Sequence, residues 1–389
     1  VAPTEFTYKY TQGRKVDKFK DMSFHVQFES HLSLTGSNAD LRAPIKPSQE
    51  GAVLVALYNR LAKKAGVETL PESKMELAAN ALKMTADELW KDRGKAIVVS
   101  GTNDLNIQLL PNRINALLNN YGNTISFKHA SRQKQGDDAA VDDLISDMKS
   151  GKVGAVLMYG PNPVYTHPRG EEFQSALQNL DLSVSLNSRN DETTQQCGYR
   201  TPDHHFLESW NDAQPKLGYF HISQPTISPI FNTKGGAESL LRWAGSDETQ
   251  YDFIRRFWNE NLFKNQDRFL SFRQFWNHAV HDGFFADTDG LEPASKPATD
   301  TATAEGTTFK AGVAANIVDF STQEEGSTFN QLSQDLTQAA NQLIAQSREQ
   351  GDGYEVVLYE KVGIRDGAEA NNPWLQELPD PVTRTCWDN

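Results

Sequence analysis

Two strand-to-helix turns hold the residue types best suited to chemistry. Gly101-Thr102-Asn103 follows the apolar run KAIVVS, and Gly160-Pro161-Asn162-Pro163 follows GAVLMY. Turns of this kind aim backbone N–H groups beyond the strand ends, where phosphates and other anions bind. Neither is G-x-G-x-x-G or a P-loop, so an anion-facing turn and a tight turn without ligand both fit. Asp191-Glu192-Thr193-Thr194 also reads two ways. The aspartate can cap a helix, or the two carboxylates can serve as acid and base. No partner for proton transfer is identifiable, which favours capping.

Two histidine groups are the candidates for metal. Asp203-His204-His205 with Glu208 holds ligand types, but adjacent side chains point apart and the i, i+4 histidine spacing of a zinc helix is absent. Structural hydrogen bonding is the better reading there. His278 and His281 are spaced i, i+3 and could share a metal, although packing beside Phe275 and Trp276 explains them more simply. Ser209 lacks a G-x-S-x-G setting, so a hydrolase triad has no support. The two cysteines, Cys197 and Cys386, form no C-x-x-C, which leaves no thiolate set for an iron–sulfur cluster or structural zinc; the two could pair with each other, but free buried thiols are expected.

The elements that position these residues follow a βα rhythm. Strands are expected at 23–30, 95–100, 124–127, 153–158 and 182–186, the 153–158 strand covered on both faces. Helices are expected from Ser48 to near Gly66, over 71–84, after a capping box at Thr85–Glu88, through Ile107 to Leu118, over 137–149 and after Pro168. From 191 to 232 the signals are loop-like, with one strand at 219–222. Aromatic-rich helices follow at 237–243, 247–262 and 272–281; their aromatics suit a core and could also anchor a protein interface. Residues 291–305 are low-complexity and read as a mobile surface loop. A helix at 329–346, a strand at 354–359 and an extended tail complete the pattern.

The fold class expected is α/β, doubly wound, with mainly parallel sheets and helices on both faces. Four parts are expected: an arm, strand and helices over 1–89; a doubly wound lobe over 90–190; a second α/β lobe over 191–362 with a flexible loop at 291–305; and a tail over 363–389. The chain has 389 residues and a net charge of -13, which argues against nucleic acid and against an anionic membrane surface, and suits a basic protein partner. No apolar run reaches the length of a membrane span. No signal peptide is read at the start, and a first residue Val1 suggests a processed protein or an excerpt.

Several segments together resemble the molybdopterin oxidoreductase family: ESHLSLTGSNADLRAPIKPSQ, KAIVVSGTNDL, GAVLMYGPNPVYTHP, LNSRNDETTQQCGYRTPDHHFLESWND and NNPWLQELPDPVTRTCWDN. The nearest likeness is to the molybdopterin-oxidoreductase-like iron–sulfur subunit of bacterial alternative complex III, which oxidises quinol and passes electrons to cytochrome c or an oxidase. The resemblance implies that Gly101, Asn103, Gly160, Asn162, Asp191, Glu192 and Thr193 belong to vestigial pterin-facing turns, with no catalytic or metal residue and no molybdenum. It implies 3Fe-4S and 4Fe-4S clusters in a separate ferredoxin-like domain of the same polypeptide. The implied partners are that domain, a multihaem cytochrome c and a polysulfide-reductase-like integral membrane quinol subunit. The implied place is the periplasmic side of the bacterial inner membrane, reached through a twin-arginine signal. The chain reads as a central excerpt that stops where the family's last pterin-binding barrel would begin. An active molybdopterin enzyme with its metal ligand elsewhere is the alternative.

Overall fold

A computed structural model describes residues 3–16, 22–73, 78–286, 327–348, 353–381 and 383–387. In chain order, α1 (Pro3–Gln12) precedes β1 (Val26–Glu29), the single turn α2 (Leu34–Ser37) and β2 (Leu41–Pro44). Next come α3 (Glu50–Ala65), α4 (Ala79–Lys91), α5 (Leu105–Leu117) and α6 (Asp138–Lys149). The middle holds β3 (Ala155–Met158), α7 (Pro163–Thr166), α8 (Gly170–Leu177), β4 (Leu182–Ser185), α9 (Glu192–Gln196) and β5 (Tyr199–Arg200). Then follow β6 (Asn211–Lys216), β7 (Tyr219–Ser223), α10 (Gly236–Trp243), α11 (Gln250–Asn261), α12 (Phe272–Asp282) and β8 (Phe284–Ala286). The last elements are α13 (Ser327–Arg348) and α14 (Pro373–Gln376).

The chain divides into two compact units, each assembled from non-consecutive segments. One comprises residues 13–127 with 292–358, here the helical unit. Its core joins Leu61 of α3, Leu82 of α4, Leu110 and Ile114 of α5, and Ala340 and Leu343 of α13. Apolar residues three and four apart give each helix one buried stripe. At Gly51 a Cβ would sit 2.6 Å from Leu343 Cδ2, so this glycine sets how closely α3 and α13 approach. Gly66 ends α3 with φ of +70°, a left-handed cap that glycine adopts without strain. β1 and β2 pair in parallel from Val26–Leu41 to Glu29–Pro44.

The other unit, residues 1–12, 128–291 and 359–389, holds two small sheets and is called the sheet unit. β3, β4 and β5 are parallel, with Ala155 opposite Leu182 and Val184 opposite Tyr199. One face packs Met158 against Ile145 and Met148 of α6 and Phe173 and Leu177 of α8. β6, β7 and β8 are antiparallel and lie against α11 and α12 through Ile222, Trp258, Phe275, Trp276 and Phe285. Ring pairs such as Phe275–Phe285, 4.8 Å between centroids and near-perpendicular, show that Trp258, Phe275, Trp276 and Phe285 are core, whereas Trp243 of α10 and Phe253 and Phe257 of α11 are exposed.

Several expectations are corrected. Residues 153–158 are not covered on both faces: Leu157 is 48% exposed while Met158 is buried, because the described helices pack on one side. Residues 95–100 are extended but form no strand; Val99 is exposed, and the Asn115 side chain takes the place of a neighbouring strand by bonding both Val98 N–H and Val98 C=O. Residues 124–127 are a turn tied to Asn120, and 354–359 is exposed coil held by Glu355 to Ser48. Ser48 therefore does not cap α3. The capping box at Thr85 is absent because α4 runs through it, and Thr85 Oγ1 donates back to Ala81 C=O. The loop-like stretch 191–232 gains α9, β5 and β6, and the opening arm contains α1. Cys197 is buried but Cys386 is exposed. The low-complexity 291–305 and part of the 71–84 helix lie outside the described residues. Among the described residues no helix is long and apolar enough to cross a membrane.

Candidate functional site

β3 delivers Tyr159 and Gly160 to its carboxyl end, where Gly160 turns the chain with φ of +93°. β4 delivers Asn187 beside it. Gly160 N–H donates to Asn187 Oδ1 at 2.7 Å, and Asn187 Nδ2 donates to Pro161 C=O and to Asp191 Oδ2, both at 2.9 Å. Asn162 links the two turns: its Oδ1 accepts from Thr193 Oγ1 at 2.7 Å and Thr193 N–H at 3.1 Å, and its Nδ2 donates to Glu192 Oε2 at 2.8 Å. Thr193 Oγ1 accepts in turn from Val164 N–H at 3.0 Å. Asp191 caps α9 through Thr194 N–H at 2.8 Å, and Thr194 meets Ser185 Oγ at 2.7 Å. Thr193, Thr194, Ser185 and Asn187 are all buried. The structure thus joins Gly160, Asn162, Asp191, Glu192 and Thr193 in one network and assigns Asp191 its capping role. Gly101 and Asn103 lie in the helical unit and are exposed; Asp104 beside them caps α5 through Ile107 N–H at 3.0 Å.

The 203–208 group is also wired for structure. Asp203 Oδ1 accepts from Gly236 N–H at 2.6 Å, at the start of α10, and from His204 N–H at 2.7 Å. Burial, helped by a hydrogen bond to Asp203, pushes the Tyr159 hydroxyl up to about 12. Its ring lies so close to Gly236 that a Cβ there would meet it at 2.7 Å. Glu208 accepts from Ile230 N–H at 3.0 Å and His205 N–H at 2.9 Å, and these bonds hold its carboxyl below the usual range. His278 and His281 both reach Asp282, at 3.0 and 2.8 Å. Among the described residues no three His, Cys, Asp or Glu side chains are grouped to hold a metal ion. Burial raises the Cys197 thiol, and its Sγ donates to Thr193 C=O. An open groove of about 290 Å³ passes over His167 to Glu172. Its Arg169 is held by Asp142 and Glu172, and Glu172 is drawn down to about 2 by Arg169 and then Lys149.

No family model matches the chain. Over 252 residues, 55% of this chain, it is 25% identical to the menaquinone reductase molybdopterin-binding-like subunit of Nitratidesulfovibrio vulgaris Hildenborough. The likeness is to molybdopterin-oxidoreductase-like proteins. The match spans 36% of that relative's length. Among solved structures, acetylene hydratase from Pelobacter acetylenicus superposes with a TM-score of 0.42 and 13% identity, over 57% of this chain and 42% of its own.

In this chain the polar atoms of the Gly160 and Asp191 turns are engaged with one another. The chain's own tail also lies over the loops that leave β3 and β4. Gly367 approaches Tyr165 so closely that a Cβ would sit 2.8 Å from its hydroxyl, and Glu369 pairs with Arg189 at 2.6 Å. The polar groups at this end of the sheet are therefore answered within the chain. Asn187 was missed in the sequence. A lone Asn after a strand reads as loop, and the signal that could have found it was a second amide beside the Gly160 turn.

Asn162→Ala removes one acceptor and one donor at once. We expect a loss of about 2 kcal/mol in a urea melt, since Thr193 N–H is left buried without its partner. Asn162→Asp keeps the acceptor for Thr193 but sets a carboxylate against Glu192 where Nδ2 now donates at 2.8 Å, so it should also lose stability at pH 7 and recover part of it in acid, where one carboxyl is protonated. A variant as stable as wild type would show that the network does not lock the turn.

Proposed function

We propose that this chain is a non-catalytic, cofactor-free part of a membrane respiratory complex that exchanges electrons with the quinone pool. The observation that carries the reading is the closed network of Gly160, Asn162, Asn187, Asp191 and Thr193, which answers within the chain the donors a pterin would use. The relative's printed name, a menaquinone reductase subunit described only as molybdopterin-binding-like, supports the same direction. Within this reading the assembly is of the alternative complex III kind and oxidises quinol. Its ferredoxin-like domain carries the clusters, and a cytochrome c subunit and an integral membrane subunit complete it on the periplasmic side. The chain's task is mechanical: it holds the electron-carrying domains at fixed spacing.

The test is a metal assay on the intact complex, purified from its native host. Iron at cluster stoichiometry without molybdenum is the expected result. Molybdenum at one equivalent per chain, with an extractable pterin, would overturn the proposal and favour an active molybdopterin enzyme.

A further inference from the structure

Two surface loops of the sheet unit are pinned to each other. Leu207 C=O accepts from Thr226 N–H at 2.8 Å and Ile227 N–H at 3.1 Å. The buried Glu208 carboxylate takes one loop's His205 N–H on one oxygen and the other loop's Ile230 N–H on the other. His204 Nδ1 and Thr233 Oγ1, 2.6 Å apart, close the far end. The loops so joined expose Phe206 at 68%, Ile230 at 71% and Phe231 at 75%, with Leu207 and Ile227 partly exposed beside them. From Leu217 to Thr233 there is no Asp, Glu, Lys or Arg, in a chain that is 23% charged.

We propose that this region is a docking surface for an uncharged, apolar face of another protein subunit, an inference that rests on the scaffold reading above. At roughly 200 Å² per phenylalanine, Phe206 and Phe231 alone leave about 300 Å² of apolar surface in water. With the neighbouring aliphatics the region reaches the size of the largest patch expected on a monomer, and it can form the dry centre of an interface of about 800 Å² per partner. The absence of charge sets the chemistry of the partner, because a charged face would lose its hydration here without gaining a counter-charge. A bilayer is the poorer match: membrane-lying surfaces flank their apolar side chains with Lys and Arg, whereas the chain's charge is -13. The Glu208 bonds hold both loops in shape before any partner arrives, which lowers the ordering cost of docking.

The experiment uses the tagged chain in its native host, purified with whatever assembly it forms. Phe206→Ser combined with Phe231→Ser should reduce co-purifying subunits at least tenfold at an unchanged melting temperature. A photo-cross-linking residue in place of Ile230 should label one of those subunits. If the double variant melts early, Ile230→Ser and the cross-link decide, since both change one outward side chain. Wild-type assembly by the variants, or cross-links to lipid or to a second copy of the chain, would overturn the docking surface and leave the scaffold reading standing. A wild-type chain that purifies with no other subunit would instead overturn the scaffold reading, and this inference with it.

Discussion

Gly170→Ala will lower the stability of the sheet unit by about 3 kcal/mol. Gly170 is the buried first residue of α8. A Cβ there would stand 3.0 Å from Val164 C and 3.2 Å from Pro163 O, and nearer still to Val164 O. These are backbone atoms of α7, so no side-chain rotation makes room. α7 would have to lift away from α8. It is tethered by Val164 N–H to Thr193 and by the Asn162 bonds, so the displacement reaches the Asp191 turn. A drop of roughly 6–12 °C in melting temperature corresponds to this cost. Gly101→Ala is the control, because a Cβ at Gly101 meets nothing within 4 Å. It should change stability by less than about 0.5 kcal/mol. Equal melting of both variants with wild type would show that the close α7–α8 junction is not required.

Trp258→Phe will cost the sheet unit about 3 kcal/mol at pH 7, from two sources. Trp258 is fully buried in the aromatic core, so the smaller ring leaves unfilled space. Its indole N–H also donates to Asp212 Oδ2 at 2.8 Å, and the change takes that donor from a carboxylate facing the core. Burial, partly offset by the Trp258 bond, raises the Asp212 carboxyl above its usual value. The folded state therefore holds this proton more tightly than the unfolded chain does. The group's contribution is most favourable below the ordinary aspartate value of about 3.9, and declines as pH rises through the raised folded value. Asp212→Asn keeps an acceptor for the indole and removes the ionisation. It should raise the melting temperature at pH 7 and lose that advantage as the pH falls through the raised folded value toward about 4. In the Asp212→Asn background the cost of Trp258→Phe should shrink, a coupling that a double-mutant cycle measures. Additive effects at every pH would mean that the carboxylate and the indole do not interact.

The helices were the most legible part of this chain. The apolar spacing at Val53, Leu57 and Leu61 and at Ile107, Leu110 and Ile114 is a local property of the sequence. So is the cap at Asp191, which the structure shows accepting the Thr194 N–H at the third helical position; Asp104 and Asp137 cap α5 and α6 in the same way but were not singled out in the sequence. The cores they build follow from that periodicity.

Strands were less legible, because a strand needs a neighbour and sequence cannot name one. KAIVVS and YEVVLY have the same β-rich composition as GAVLMY, yet only the last pairs in a sheet among the described residues. Asn115 satisfies Val98 from a helix, and Glu355 ties its segment to Ser48 instead of to a strand.

By itself the sequence determined most of the long helices, the Asp191 cap, the turn at Gly160 and the acidic charge. Tertiary structure alone decided that Asn187 and Asn162 close the turns from inside, that Glu208 and Asp203 serve backbone N–H groups, and that residues far apart in sequence share one unit. The physical reason is range. Periodicity and capping act over four residues, whereas a polar side chain's partner is fixed only when distant segments are brought within 3 Å of each other.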